Sequence, residues 1–168
     1  MPALGGKIAI AMGAFRGLDA SMALELVRDG ASVLLLYPSE YKTSKVDDLK
    51  GEVESLPGTV QAHSARCDLS KTDVANPVLS PLDEWLRAGA KIDISVDSSG
   101  TEVVKHLQNI QITDYEKVYN INVHEALEGL TRCWAAELGR NGTTVNQINP
   151  GPVQSDMLDN TPKDIVEM

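Results

Sequence analysis

Gly13 and Gly17 stand four positions apart in the segment MGAFRGLD, between an apolar run and an amphipathic one. A strand end, a glycine turn and a helix start together form the geometry that meets a pyrophosphate. The glycines admit close approach, and the amides opening the helix at Gly17 and Leu18 point at the phosphates. A glycine pair alone marks any strand-to-helix turn; its place between a strand pattern and a helix pattern gives it weight. Arg16 in the same turn and Ser39 after the next strand suit a 2'-phosphate, and Lys42 adds charge. An NAD-type site instead puts an acid at the end of the second strand, on the ribose diol. That strand ends LLLYPSEYK, with Tyr37 or Pro38 at the position and Glu40 farther out. NADP(H) is therefore expected over NAD. Arg16 also reads as an ordinary solvated charge.

A second set follows the later strands. Asp68 suits an adenine amino group, and the polar loop Asp97 to Gly100 suits the ribose side, since ligands of open α/β sheets lie beyond the carboxyl ends of the strands. Each also reads as an Asx or Ser turn. Tyr41 and Lys45 have the Tyr-x-x-x-Lys spacing, but they follow the second strand, on the adenosine side. A general acid must reach the reacting oxygen, so this pair is set aside. His124 can carry a proton by its chemistry, although a lone helical histidine is usually structural. Cys67 and Cys133 lack metal-ligand spacing and read as free thiols of a reducing compartment; no metal site is expected.

The elements that must position these residues alternate. Lys7 to Met12 and Ala31 to Tyr37 are apolar runs suited to strands covered on both faces. Leu18 to Asp29 between them has a helical apolar face, closed by Gly30. Lys42 to Leu56 reads as a surface helix, Val60 to Cys67 as a third strand, and Ser70 to Ala88 as a helix broken near Pro77 and Pro81. Ile92 to Val96 is a fourth strand and Thr144 to Ile148 a fifth. Thr113 opens a long helix to Leu138, with Glu116 completing a capping box and Tyr115, Tyr119, Val123, Leu127, Leu130 and Trp134 forming its stripe.

The chain has 168 residues, net charge -9 and 42% hydrophobic residues, and it reads as one domain, 1-168, with a core and no linker. Aromatics at 4% and the acidic balance argue against nucleic-acid binding. No run approaches the length that spans a bilayer, and the N-terminus lacks a signal-peptide cleavage pattern, so a cytoplasmic protein is expected.

In order, these segments resemble the short-chain dehydrogenase/reductase family, with ketoacyl-reductase-like members most similar over the cofactor half. MGAFRGLD resembles the family's cofactor turn, with Arg16 where NADP-using members often carry a base. CDLS places Asp68 at the adenine contact. IDISVDSSG resembles the strand entering Asn-Asn-Ala-Gly, so Gly100 maps to its glycine. TDYEKVYNINV resembles the helix carrying the active-site asparagine, which matches Asn122. INPGPVQSDM resembles the nicotinamide-side turn, mapping Pro150, Gly151 and Val153. The resemblance implies a doubly wound parallel α/β sheet of Rossmann type with about five strands in the order 3-2-1-4-5. It implies hydride transfer between NADP(H) and a small-molecule carbonyl or alcohol. In the family a tyrosine is the acid/base, a lysine four residues on lowers its pKa, and a serine orients the substrate. It also implies self-association through helix 113-138.

The chain departs from that pattern. The family's serine strand and Tyr-x-x-x-Lys helix belong between Asn122 and Pro150, where only a short helical stretch stands. HEALEGLTRCWAAELG reads as the start of one family helix joined to the end of the next. The segment after SDM is also short against the family. Asp19 takes the third glycine position, where a carboxylate suits the helix dipole but repels a pyrophosphate. Met12 replaces a threonine, and Asp97 and Ser98 replace two asparagines. The expected function is an NADP(H)-dependent oxidoreductase by descent, inactive as it stands. The alternatives are a noncatalytic nucleotide-binding or protein-interaction remnant, and the product of an incorrectly joined coding sequence.

Overall fold

A computed structural model describes residues 2–56, 60–68, 82, 91–122, 127–148, 153–155 and 159. The chain divides into two compact units, Met1–Ser99 with Ser155–Met157, and Gly100–Gln154 with Leu158–Met168.

The first unit holds a four-stranded sheet. Its strands are β1 (Ile8–Met12), β2 (Ser32–Tyr37), β3 (Ala62–Arg66) and β4 (Ile94–Asp97), in the order β3-β2-β1-β4. All neighbours are parallel, with Ile10 opposite Leu34 on one side and Ser95 on the other, and Leu35 opposite Ser64. Side chains alternate across a strand, so an all-apolar strand must be covered on both faces. Ala9 and Ala11 join Val33 and Leu35 in one buried cluster, with Ala23 and Val27 of helix α1 (Gly17–Arg28) and Val46, Leu49 and Val53 of helix α2 (Thr43–Ser55). Ile8 and Ile10 join Leu34 and Leu36 in a second cluster, with Ala65, Cys67 and Leu82. This is the doubly wound arrangement expected. Alanines at 9, 11 and 23 leave room for α1 to approach β1 closely.

Two local devices fix the first strands. At the end of α1 the Gly30 amide donates to the Val27 carbonyl at 2.8 Å and the Ala31 amide to the Leu26 carbonyl at 3.0 Å. That pair is a Schellman closure, and Gly30 supplies its left-handed residue at φ 98°. At the other edge, Lys7 Nζ lies 2.7 Å from Asp93 Oδ1 and the Ile8 amide donates to Asp93 Oδ2 at 3.1 Å. Asp93 thereby sets the start of β4 beside the start of β1. The Lys7 hydrogen bond, chiefly, holds the Asp93 carboxyl below its usual value.

The second unit contains helix α3 (Ile112–Asn122), helix α4 (Leu127–Leu138) and a short 3-10 turn, Gly139–Asn141, closed by Gly142 at φ 77°. Two expectations need correction here, the capping box and the fifth strand, while the junction of the long helix lies outside the described residues. The capping box at Thr113 and Glu116 is replaced by a single reach-back bond two residues earlier. Gln111 precedes the helix, and the Asp114 carboxylate reaches back to accept its amide at 3.0 Å. Lys105 Nζ sits 2.7 Å from the same carboxylate, which lowers the Asp114 pKa. The single long helix is described as two segments, with residues 123–126 outside the described set, and His124 with them. Thr144–Ile148 forms no strand, so the sheet has four members among the described residues, not five. A strand is defined by its hydrogen-bonded neighbour, and this segment offers only Val145 and Ile148 as apolar anchors, Ile148 being 84% exposed. The helix expected over Ser70 to Ala88, with its break, lies outside the described residues apart from Leu82. Both cysteines are free: Cys67 is buried, and its thiol is pushed up by burial and by Asp68, while Cys133 is exposed.

Candidate functional site

Parallel pairing puts all four strand ends on one edge of the sheet: Met12 stands opposite Asp97, and Tyr37 opposite Arg66. The glycine turn therefore shares that edge with Ser39, Asp68 and residues Ser98 and Ser99 after β4, all within the first unit. The turn is tied to the sheet at one point, where the Ala14 amide donates to the Leu36 carbonyl at 3.0 Å.

Gly13 and Gly17 both adopt positive φ, 74° and 59°, the region an L side chain avoids. At Gly13 a Cβ would also stand 3.1 Å from Asp19 Oδ2 and 3.2 Å from Ser99 Oγ. At Gly17 it would stand 3.7 Å from the Cβ of Ser155. Gly13 is thus required by conformation and by space together. Leu18 lies in the first turn of α1. Arg16 precedes that helix in extended conformation, and its guanidinium, which has no acceptor, makes no cap bond to the free helix amides. Ser39 precedes the 3-10 turn Glu40–Lys42, and its carbonyl accepts the Lys42 amide at 3.0 Å. Glu40, the nearest acid after β2, lies 3.3 Å from Arg66 in an exposed ion pair. Tyr41 is 93% exposed.

Beside the turn, Asp19 is half-buried and faces the loop after β4. Its carboxyl is pushed up to about 6, first by burial; Asp97 adds to this, while a hydrogen bond from Ser98, its own backbone amide and Arg16 oppose it. Ser99 is held in an Asx turn, its amide donating to Asp97 Oδ1 at 3.1 Å. Asp19 Oδ1 and Ser99 Oγ are buried atoms with no hydrogen-bond partner among the described residues. Unpaired buried polar atoms cost stability unless a ligand or solvent completes them. The edge thus combines a backbone cradle only glycine permits, unfilled hydrogen-bonding capacity beside it, and one acid held partly protonated near neutrality.

The second unit holds the remaining sequence-derived site residues. Asn122, at the end of α3, is engaged on both amide atoms: its Oδ1 accepts the Thr101 amide at 2.9 Å and its Nδ2 donates to the Thr101 carbonyl at 2.8 Å. A Cβ on Gly100 would lie 3.8 Å from that same Oδ1. Val153 is exposed, while Pro150 and Gly151 lie outside the described residues. Sequence reasoning missed the convergence of Ser98 and Ser99 on Asp19. It also missed Phe15, whose signal was available: a bulky apolar side chain stands where a phosphate turn needs small ones.

Residues 7–126 match the short chain dehydrogenase family, and residues 123–167 match the family described as enoyl-(acyl carrier protein) reductase. Hydroxynaphthalene reductase arp2 of Aspergillus fumigatus is 31% identical over 195 aligned positions, spanning 92% of this chain and 69% of that protein. Two solved structures share the fold. A blue fluorescent protein from a metagenomic library, in complex with NADPH, superposes with TM-score 0.77 at 24% identity, over 96% of this chain and 79% of that one. A short chain dehydrogenase from Burkholderia cenocepacia, in complex with NADP, gives 0.78 at 24% over the same shares.

Proposed function

The chain belongs to the short-chain dehydrogenase/reductase family, and from that premise we propose that its first unit is an NADP(H)-binding module descended from a ketone–alcohol oxidoreductase. The carrying observation is the Gly13–Gly17 turn. Both glycines have positive φ, and a side chain at Gly13 would strike Asp19 and Ser99. A bound diphosphate would lie over this turn, with the amides of Gly17 and Leu18 toward it. Ser99 Oγ offers a free hydroxyl to the ribose side, and Asp68 stands after β3 for the adenine.

The preference for NADP(H) over NAD rests on charge. Arg16, before α1, and Lys42, in the turn after β2, both lie against the Phe15 ring, whereas an NAD site would need a carboxylate at the end of β2. Glu40, the candidate for that role, is turned to Arg66 at 3.3 Å. The solved relatives named as NADPH and NADP complexes support the same choice. Asp19, with Asp97 beside it, opposes an anion here.

When bound, NADPH supplies a hydride. The residues that would place a carbonyl before it and give the oxygen a proton are not in this sequence. The aligned relative contributes 195 positions against 92% of 168 residues here, about 155, so about forty of those positions face no residue of this chain. The two family matches meet at residues 123–126, which is where the family's serine and Tyr-x-x-x-Lys block is expected. On this reading Asn122 serves position rather than proton transfer, since both of its amide atoms are taken by Thr101. The 168 residues bind the dinucleotide and do not reduce a ketone. Self-association through 113-138 is part of the same proposal, since Tyr115, Tyr119 and Trp134 are 59%, 43% and 45% exposed.

Calorimetric titration of the purified chain with NADPH and with NADH tests the reading. NADPH binding tighter than NADH, with no ketone-dependent NADPH oxidation, is the expected result. Absence of NADPH binding by a folded chain would refute it.

A further inference from the structure

Phe15, the only phenylalanine of the chain, sits inside the glycine turn, and two cations from different elements converge on its ring. The Arg16 guanidinium carbon lies 5.3 Å from the ring centroid, and Lys42 Nζ, from the 3-10 turn after β2, lies at the same distance. Both fall within about 6 Å, the range in which a ring quadrupole holds a cation. Two like charges gathered at one ring repel each other. Among the described residues neither makes an ion pair, although Glu40 of the same turn does so with Arg66. Apart from the through-space pull of Arg16 on Asp19, the pair has no ion-pair partner among the described residues, while an aromatic side chain holds it from the middle.

We propose that Phe15 is a positioning residue, whose ring gathers Arg16 and Lys42 into one dicationic cluster for the 2'-phosphate of NADP(H). The inference rests on the NADP(H) reading above and adds the source of its selectivity. Arginine and lysine side chains are long and lose much rotational freedom when they grip a phosphate. A ring that already holds both heads removes part of that loss before the ligand arrives. An aliphatic residue of similar size would fill the space without attracting either charge. The ring therefore affects only a ligand bearing the 2'-phosphate, and the rest of the dinucleotide meets the same backbone with or without it.

Fluorescence titrations of the full chain with NADPH and with NADH, for the wild type and for Phe15→Leu, Phe15→Tyr, Lys42→Met and the Phe15→Leu/Lys42→Met pair, test this. Phe15→Leu should weaken NADPH by about three- to tenfold, from two partly exposed cation–π contacts, and leave NADH within about twofold of the wild type. Phe15→Tyr should keep the wild-type preference. Lys42→Met should lose part of the same NADPH increment, and the pair should lose less than the two single losses multiplied together. Equal weakening of both cofactors by Phe15→Leu, or fully multiplicative losses in the pair, would overturn the inference and leave Phe15 as packing. A wild type that does not distinguish NADPH from NADH, or binds neither, would instead overturn the NADP(H) reading itself.

Discussion

Replacing Asp19 by asparagine keeps the shape of the side chain and removes its charge, which isolates the cost of holding a carboxylate at this edge. The carboxyl titrates at about 6 in the folded chain against 3.8 ordinarily. Folding raises the value, so the native chain holds the proton more tightly than the unfolded chain does. Stability is therefore fully present below 3.8, falls as pH rises toward 6, and is flat above. The full shift corresponds to about 3 kcal/mol. Asp19 is only half-buried, and screening reduces that to about 1–2 kcal/mol. Urea unfolding from pH 4 to pH 7.5 reads the difference between Asp19→Asn and the wild type. The variant should gain about 1–2 kcal/mol at pH 7.5 and progressively less toward pH 4. A difference that stays constant across this range would refute the burial of a charge as its origin. The same substitution bears on the ligand. An ionised Asp19 near a diphosphate costs on the order of 1–2 kcal/mol at intermediate dielectric, so both Asp19→Asn and Asp19→Gly should tighten NADPH five- to thirtyfold at pH 7.5. Unchanged affinity in a titration would show that Asp19 does not face the phosphates.

Other expectations follow from packing and charge. Gly13→Ala puts a Cβ at positive φ within 3.1 Å of Asp19 and 3.2 Å of Ser99; it should cost about 1–3 kcal/mol in urea unfolding and abolish NADPH binding. Leu34→Ala, at a side chain fully buried in the sheet, should lower stability by about 2–5 kcal/mol without changing the NADPH to NADH ratio of the remaining folded protein. Asp93 has a lowered pKa, so the stability it contributes is present above its unfolded value and is lost as pH falls through the folded one. Lys7→Met should remove under about 1 kcal/mol at pH 7, and acid unfolding monitored by circular dichroism should show a shallower pH dependence in the variant.

The parts of the fold legible in the sequence were those in which one local pattern has one physical outcome. Ile8 to Met12 and Ser32 to Tyr37 are apolar on both faces, and only a strand covered from both sides satisfies them. Gly30 sits where a Schellman closure needs a left-handed residue, and it stopped the helix within a residue of its observed end. The glycine turn was legible because strand, glycines and helix follow one another without interruption. Other features depended on partners far away or on near-equal alternatives. Thr113 and Glu116 match the capping pattern better than Gln111 and Asp114 do, and what favours the latter is Lys105, nine residues before Asp114, gripping its carboxylate. Thr144–Ile148 has strand-forming residues, but a strand also needs a neighbour, which local composition does not encode. Asp19 was visible as an acid in a cofactor turn. Its orphan oxygen and the serines opposite became visible only once β4 was set beside β1.

The position of β1 in the middle of the sheet has a consequence for how the chain assembles. Its partner on one side is near in sequence, with Ile8 opposite Ser32. Its partner on the other side is remote, and the Lys7–Asp93 clamp that starts their pairing spans 86 residues. Closing the larger loop costs about 1 kcal/mol more in chain entropy than closing the smaller one. That favours β1 and β2 associating first, with β4 added after most of the intervening chain has been made compact. The loop after β4 brings Ser98 to Asp19, so the proposed cofactor edge is completed only when β4 has joined β1, and its formation reports on the later part of sheet assembly.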